Sequence, residues 1–316
     1  MIKHSDLAIA VIFGGASLEA EVSRVSSQGV AKALRENYTN VTLLELNANL
    51  ADQLKQHNIE LVFPIAHGRP GEDGTLQGFL ETIGLPYVGS GVLASACAMD
   101  KGIAKQIFKA YGLPVAKELI VHRDEAIPTV IEKIYQQLGE QIVVKPTCEG
   151  SGLGVNFPKT SEELEQALIQ TFVLNERVLV EERIYGKEIT VAVLERPTGV
   201  EALPVIEITT PANTWYDYAH RYTAGWSEHI IPAPLPVEQY QRTQEVAVQA
   251  HKALQCRDFS RVDFVVPEKG EPILLEVNTL PGMTPTSLYP DAAKAVGLSF
   301  SELVAHLVEH AWQRHN

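Results

Sequence analysis

Continuous apolar runs alternate with helically spaced apolar residues along the first hundred positions of the chain. Residues 7–13 form an apolar run that ends at a pair of glycines, and a helical pattern then continues through Leu34. Further apolar strands are predicted at 41–46 and 60–66. Strands that alternate with helices are typical of a parallel sheet, so a parallel α/β layer is expected here.

The pattern changes twice beyond this layer. A helix is predicted to begin at Met99-Asp-Lys101 and to end at Gly112-Leu-Pro114, and a second α/β unit follows it. From about residue 183 the pattern becomes mostly antiparallel. We therefore expect three domains, at 1–100, 101–182 and 183–316. Further elements are predicted as strands at 141–145, 178–182, 188–194 and 200–208, helices at 161–172 and 301–314, and a hairpin at 261–278.

The predicted hairpin places four polar side chains on one sheet face. Arg261 and Asp263 lie two residues apart on its first strand, and Glu276 and Asn278 do so on its second. Side chains at this spacing share a face and lie about 7 Å apart along the strand. Carboxylate and amide oxygens without Cys or His suit Mg²⁺, whose remaining ligands are usually waters and phosphates. The hairpin thus indicates a nucleotide site, although a salt-bridged, solvated sheet face fits the hairpin alone equally well.

Composition and charge restrict the class of protein. The 316 residues are 45% hydrophobic, which is enough for a large core, and the net charge is −13 with a pI near 5.3. This acidity argues against binding to nucleic acid or to an anionic membrane, so small molecules are the expected partners. Cys97, Cys148 and Cys256 lack CxxC spacing, which predicts reduced thiols and a cytoplasmic location. The first apolar run is too short for a signal peptide or a membrane span.

Two glycine-rich loops follow predicted strands. Residues 145–154 place a lysine before small residues whose backbone N–H groups can bind an anion. Their spacing matches neither a Walker A loop nor the dinucleotide motif, and a plain turn is the alternative. The loop at 67–77 begins with His67 at the carboxyl end of a strand, where open α/β sheets bind ligands. His67 is therefore a candidate contact, although a lone histidine more commonly satisfies local backbone groups.

An aromatic segment interrupts the antiparallel region. Its polar residues include Asp217, His220 and Arg221. We interpret the segment as a mobile lid that stacks, hydrogen-bonds and excludes water, and a satellite hydrophobic cluster under a long loop is the alternative. Its aromatic members are Trp215, Tyr216, Tyr218, Tyr222 and Trp226.

The ordered combination of these motifs resembles the D-alanine–D-alanine ligases of the ATP-grasp fold over essentially the whole chain. The resemblance implies a Rossmann-like N-terminal domain with a parallel sheet, followed by two α+β lobes that clamp ATP. The phosphate loop and the metal hairpin are shared with other ATP-grasp enzymes, whereas the loop at 67–75 and the run after Asn278 are specific to this ligase group. The matching motifs are Gly14–Ser23, His67–Thr75, Gly89-Ser-Gly91, Met99-Asp-Lys101, Lys145–Ser151, Arg261-Val-Asp263 and Glu276–Thr284.

The resemblance also implies roles for single residues in nucleotide and metal binding. ATP phosphates would be bound by Lys101, Lys145 and Arg221, adenine by Glu181 and the backbone of Ile184, and ribose by Glu188. Two Mg²⁺ ions, for which Mn²⁺ is a possible substitute, would be held by Asp263, Glu276 and Asn278.

The implied substrates are two D-alanine molecules, and the implied intermediate is an acyl phosphate. Glu19 would bind the first ammonium group, and His67 would be a further substrate contact. Arg261 and the Gly282 N–H would stabilise the tetrahedral oxyanion. The second carboxylate would be bound by Ser287 and the Leu288 backbone, while Glu19, Ser151 and Tyr222 would close the lid and help to deprotonate the incoming amine.

Several positions depart from the usual family pattern. Arg221 replaces a lysine, Thr147-Cys148 replaces Ser-Arg, and Arg183 stands where an aromatic residue often covers adenine. These changes bear on nucleotide affinity and lid closure, because arginine and lysine are not interchangeable at close quarters.

The predicted function is ATP-dependent ligation of two D-alanines for peptidoglycan precursor synthesis by a cytoplasmic homodimer. One alternative is a ligase that joins D-alanine to another small D-amino acid or to a hydroxy acid such as D-lactate. The other is an inactive nucleotide-binding scaffold.

Overall fold

The structure, a computed structural model, describes residues 4–15, 17, 19–211, 223, 225–284 and 287–315. Its N-terminal sheet is parallel, as the alternating pattern predicted, with strand order β2-β1-β3. The elements of this layer are β1 (Ala8–Phe13), α1 (Ala20–Leu34), β2 (Asn40–Glu45), α2 (Leu50–Gln56), β3 (Leu61–Pro64) and α3 (Thr75–Thr82).

The central part contains a three-stranded antiparallel sheet in the order β4-β6-β5. Its strands and the helices around it are α4 (Val92–Met99), α5 (Lys101–Ala110), β4 (Glu118–His122), α6 (Ile127–Leu138), β5 (Ile142–Pro146), α7 (Ser161–Leu174) and β6 (Arg177–Glu182). Because β5 and β6 pair antiparallel, this unit is an α+β lobe, as the resemblance implied, and the strand–helix–strand pattern alone had indicated only a second α/β unit.

The C-terminal part is built on a six-stranded sheet. The strand order is β10-β9-β7-β11-β12, and β8 also pairs with β7. Its elements are β7 (Lys187–Arg196), β8 (Gly199–Ala202), β9 (Ile206–Thr209), β10 (Glu228–Ile230), α8 (Val237–Ala253), β11 (Phe259–Val266), β12 (Ile273–Asn278), α9 (Leu288–Ala295) and α10 (Phe300–His315).

The prediction of one continuous strand at 200–208 was wrong, because the structure has two strands there, β8 and β9. Both strands pair with β7, but at different parts of its length. Pro204 lies between them and has no N–H group to continue the hydrogen-bond ladder. Apolar content alone therefore concealed a break in the strand.

Hydrophobic packing crosses the boundaries expected at residues 100 and 182. Ala98 of α4 and Phe108 of α5 belong to the same core as Val262 and Phe264 of β11. At the other end of the chain, α10 packs on α1. The division into three domains therefore stays a prediction. Helix α5, which was expected in the central domain, packs on the C-terminal sheet. Among the described residues, no helix is both long and apolar enough to cross a bilayer.

Candidate active site

A cavity of about 820 Å³ brings together residues that are far apart in the sequence. It lies where the end of β3, the start of α1, the glycine loop after β5 and the β11–β12 hairpin meet. Its lining includes ten of the residues expected to bind or react: Glu19, His67, Lys101, Ser151, Arg261, Glu276, Asn278, Gly282, Ser287 and Leu288. Five other expected residues in the described part of the chain do not line it, namely Lys145, Glu181, Ile184, Glu188 and Asp263.

The hairpin has the predicted arrangement of its four polar side chains. β11 and β12 pair antiparallel, with Arg261 opposite Asn278 and Asp263 opposite Glu276, so all four positions share one face. The register shifts directly after Asp263, beyond these positions. Thr190 of β7 donates a hydrogen bond to Asp263 Oδ1 at 2.6 Å. The sequence did not indicate this contact, because the neighbouring strand is distant along the chain.

The two expected metal-binding carboxylates of the hairpin, Asp263 and Glu276, are each paired with a cation. Arg261 contacts Asp263 through two hydrogen bonds of 2.9 and 2.7 Å. The Lys101 ammonium lies 3.1 Å from Glu276 Oε2 and donates to the Glu149 carbonyl at 2.6 Å. Burial is the largest influence and opposes the charge of Lys101, but the Glu276 carboxylate and, less strongly, other nearby groups including Glu181 together raise the Lys101 pKa. Lys101 is therefore held as a cation inside the cavity.

The donor set of the hairpin fits a hard divalent cation. Asp263 and Glu276 supply carboxylate oxygens and Asn278 supplies an amide oxygen, which is the ligand chemistry of Mg²⁺. The Leu280 N–H donates to Asn278 Oδ1 at 3.0 Å and orients that oxygen. A carboxylate has about four acceptor positions, so the pairing with Arg261 leaves Asp263 able to bind a metal.

A buried ion cluster lies next to Lys101. Glu181 is 3% exposed, and its two carboxylate oxygens contact different lysines, Lys105 through Oε1 and Lys145 through Oε2. Burial opposes ionisation of Glu181, but the two lysines lower its pKa to about 2. Burial, assisted by the neighbouring Lys105, lowers the Lys145 pKa. Lys105 was missed in the sequence, although it lies four residues after Lys101 and so shares a helix face with it.

The glycine loop after β5 turns back toward the first helix. Ser151 adopts a φ of 50°, an uncommon left-handed conformation for a residue other than glycine. Its hydroxyl donates to Glu19, the residue that precedes α1. A Cβ atom at Gly150 would lie only 3.2 Å from Glu19 Oε2, so a side chain there would crowd the carboxylate. The loop thus brings Ser151 and Glu19 into contact, as the resemblance implied.

His67 is 6% exposed and faces the same cavity. Its Nδ1 lies 3.4 Å from Glu72, whose other oxygen accepts a 2.8 Å hydrogen bond from the Gly68 N–H. Its Nε2 has no hydrogen-bond partner among the described residues. Burial lowers the His67 pKa, but Glu72 and then Glu19 outweigh burial and raise it. His67 thus has one nitrogen fixed by the protein and the other available to a ligand.

The start of α9 forms the other side of the cavity. The Ser287 hydroxyl lies 2.7 Å from the Thr284 hydroxyl and accepts a 3.1 Å hydrogen bond from the Thr284 N–H. A Cβ atom at Gly282 would lie 3.1 Å from Ser287 Oγ, so the backbone approaches this hydroxyl closely. His229 of β10 and Asp291 of α9 also line the cavity and form a 2.7 Å hydrogen-bonded pair that sequence reasoning missed.

Arg183, which stands where an aromatic residue often covers adenine in the family, lies against two aromatic side chains. Arg183 lies over the rings of Phe157 and Tyr185, at 4.5 and 4.8 Å from their centroids. The expected lid residues Arg221 and Tyr222 lie outside the described residues.

Comparisons with known proteins give one consistent answer. The family model of the D-ala D-ala ligase C-terminus matches residues 107–309, and that of the D-ala D-ala ligase N-terminus matches residues 47–90. The D-alanine–D-alanine ligase of Halalkalibacterium halodurans is 45% identical over 95% of this chain and 97% of its own length. The corresponding enzyme of Pelotomaculum thermopropionicum is 42% identical over 97% of each chain.

Solved structures agree with the sequence relatives. The D-alanine–D-alanine ligase of Bacillus anthracis complexed with ATP superimposes with a TM-score of 0.84 at 31% identity, over 98% of both chains. The ligase of Coxiella burnetii gives a TM-score of 0.84 at 28% identity, over 99% of this chain and 95% of that one. The chain therefore belongs to the D-alanine–D-alanine ligase family and has its ATP-grasp fold.

Proposed function

We propose that the protein uses ATP to join two D-alanine molecules into D-alanyl-D-alanine, with release of ADP and phosphate, for peptidoglycan precursor synthesis. The observation that carries the proposal is the single cavity that contains Glu19, Lys101, Arg261 and Glu276. Such a cavity offers an acceptor for an ammonium group, cations for phosphate and carboxylate oxygens, and metal ligands. Family membership and the ATP complex of the Bacillus anthracis relative support it.

In the first step, a carboxylate oxygen of the first D-alanine attacks the γ-phosphorus of ATP and ADP leaves, which gives an acyl phosphate. Glu19 binds the ammonium group of this D-alanine, and Lys101 and Lys145 contact the phosphates. Both lysines are preorganised, since Glu276 and Glu181 already hold their ammonium groups. Preorganised charges stabilise a transition state without further rearrangement.

Metal binding is assigned to the hairpin. Asp263, Glu276 and Asn278 would hold two Mg²⁺ ions. Such ions neutralise charge on phosphate oxygens and orient them for displacement. Arg261 and Lys101, which pair with the two carboxylates, keep these side chains in position.

In the second step, the amine of the second D-alanine attacks the acyl carbon, and phosphate leaves with the former carboxylate oxygen. Arg261 and the Gly282 N–H stabilise the oxyanion of the tetrahedral intermediate. Ser287 and the Leu288 N–H bind the second carboxylate at the start of α9, where a helix favours an anion. Tyr222, with Ser151 and Glu19, helps to deprotonate the amine, and Arg221 reaches phosphate.

We also propose which residues contact the adenine and ribose of ATP, and in which oligomeric state and compartment the protein acts. Glu181 and the Ile184 backbone bind adenine, and Glu188 binds the ribose. The protein acts as a homodimer in the cytoplasm, and its three free cysteines, Cys97, Cys148 and Cys256, are compatible with a reducing compartment.

Phosphate release measured with a panel of amino acids and D-lactate tests this function. We expect ATP-dependent phosphate release with D-alanine, equal in amount to the dipeptide formed. A preference for D-lactate or for another D-amino acid at the second site would favour the alternative ligase. ATP binding without phosphate release under any condition would favour the inactive scaffold and would overturn the proposal.

A further inference from the structure

Lys105 is the most completely buried charged residue next to Lys101 and Lys145, the two lysines that the proposed function assigns to the ATP phosphates. Its side chain has no exposed surface, and its ammonium contacts Glu181 Oε1. The opposite carboxylate oxygen contacts Lys145. An ionised lysine with no solvent is costly unless it is paired, so this lysine needs Glu181 as its partner.

The shared carboxylate affects how Lys145 interacts with an anion. If Lys105 were absent, both oxygens of Glu181 would be available to Lys145 and would draw its three ammonium donors toward the carboxylate. With Lys105 on Oε1, Lys145 contacts only Oε2 and keeps donors for a phosphate. Two lysines against one carboxylate also leave a net positive charge in this cluster, which favours an anion such as a nucleotide phosphate.

We propose that Lys105 is a positioning residue for nucleotide binding: it acts through Glu181 to hold Lys145 in a phosphate-binding position. The inference rests on the proposed function, because it assigns Lys145 to the ATP phosphates. Lys105 does not line the cavity, and its side chain has no exposed surface through which it could contact a nucleotide directly.

The test is a double-mutant cycle on purified full-length protein, read by calorimetric titration with Mg-ADP. Lys105→Met removes the charge and keeps an unbranched side chain. We expect ADP affinity to fall about tenfold or more, as for the loss of one charge-assisted hydrogen bond. The KM for ATP should rise in parallel, with the KM for D-alanine unchanged. Lys109→Met, which removes a half-exposed lysine of the same helix, is the matched control and should bind ADP normally.

The cycle is completed by Glu181→Gln and by Lys105→Met combined with Glu181→Gln. If Lys105 acts through Glu181, the double variant should bind ADP as Glu181→Gln does, because the partner is already lost. Wild-type affinity in Lys105→Met, or penalties that simply add, would overturn the inference and leave the proposed function intact. If Lys105→Met does not fold, the ADP affinities of Glu181→Gln and of the double variant are compared instead. An ADP affinity of the double variant that is lower than that of Glu181→Gln would contradict the proposal. Failure of the wild-type protein to bind ADP would instead contradict the proposed function.

Discussion

At the scale of single residues, three carboxylates of the candidate site each have a fixed cationic partner. Asp263 is paired with Arg261, Glu276 lies 3.1 Å from Lys101, and Glu181 is shared between buried lysines. Pairing offsets the cost of removing these charges from water. Removing one charge is therefore expected to affect chemistry through its partner as well as directly.

Glu276→Gln tests the metal assignment. The change removes one negative charge from the expected metal site and the partner of Lys101, so turnover should fall about 10²-fold or more, as for the loss of a preorganised electrostatic group. The melting temperature without ligands should change little, because the side chain is 25% exposed. Steady-state kinetics and thermal denaturation measure the two effects. Glu271→Gln, in the exposed turn of the same hairpin, is the control, and a Glu276→Gln variant with more than about a tenth of wild-type turnover would refute the role.

Glu72→Gln tests whether the Glu72 carboxylate keeps His67 protonated for substrate binding. Glu72 raises the His67 pKa, so the imidazolium persists to a higher pH in the wild-type protein than it would without that carboxylate. In the variant, the imidazolium should be lost at a lower pH. If His67 binds a substrate carboxylate as a cation, the KM for D-alanine should begin to rise at a lower pH than in the wild type. Superimposable pH profiles of KM for the two proteins would exclude this role.

At the scale of secondary-structure elements, α5 connects Lys101 and Lys105 to the C-terminal core. Asp100 caps its N-terminus by accepting a hydrogen bond from the Ile103 N–H, and the helix carries both Lys101 and Lys105. Phe108 on the same helix is fully buried in the core that includes β11. Phe108, the largest of the α5 side chains in this core, therefore helps to hold the helix that presents the lysines.

Phe108→Ala should lower the free energy of unfolding by about 3–5 kcal/mol, as is usual for a cavity left by a large core residue. ATP affinity should fall as well, because α5 would no longer be held firmly against the sheet. Urea denaturation and calorimetric titration measure these effects. Tyr111→Ala, just after the same helix and 65% exposed, should leave both unchanged. An unaltered ATP affinity in Phe108→Ala would show that the lysines do not depend on this packing.

The elements that the sequence predicted well are those with a strong local pattern. The hairpin was predicted because Arg261, Asp263, Glu276 and Asn278 follow the two-residue period of strands. Antiparallel pairing of β5 with β6 was not predicted, since the direction of pairing depends on tertiary packing. The contact of Thr190 with Asp263 was likewise missed, because both partners look ordinary until two strands are placed side by side.

At the scale of the whole molecule, a buried carboxylate connects the C-terminal helix to the loop that ends the N-terminal layer. Asp258 is fully buried and accepts hydrogen bonds from the Gly89 N–H at 2.6 Å and from His310 of α10 at 2.9 Å. Arg314, also on α10, forms an ion pair with it. The C-terminal helix, the start of β11 and the loop before α4 are therefore tied at one point.

This junction predicts a pH dependence of stability. The hydrogen bond to Asp258 raises the His310 pKa above its usual 6.5. A raised pKa contributes stability that is fully present below pH 6.5 and is lost as pH rises through the folded-state value. The difference in melting temperature between the wild type and His310→Gln should therefore be larger near pH 6 than near pH 9, by thermal denaturation. A difference that is constant or that grows with pH would contradict this account of the junction.

The central claim is that a D-alanine carboxylate is activated as an acyl phosphate in the cavity. The most direct measurement is the reaction of unlabelled ATP with D-alanine whose carboxylate oxygens are both ¹⁸O, followed by mass spectrometry of the products. We predict one ¹⁸O atom in the released phosphate for each D-alanyl-D-alanine formed, because phosphate leaves with an oxygen of the first carboxylate. Unlabelled phosphate released together with the dipeptide would contradict the acyl-phosphate mechanism.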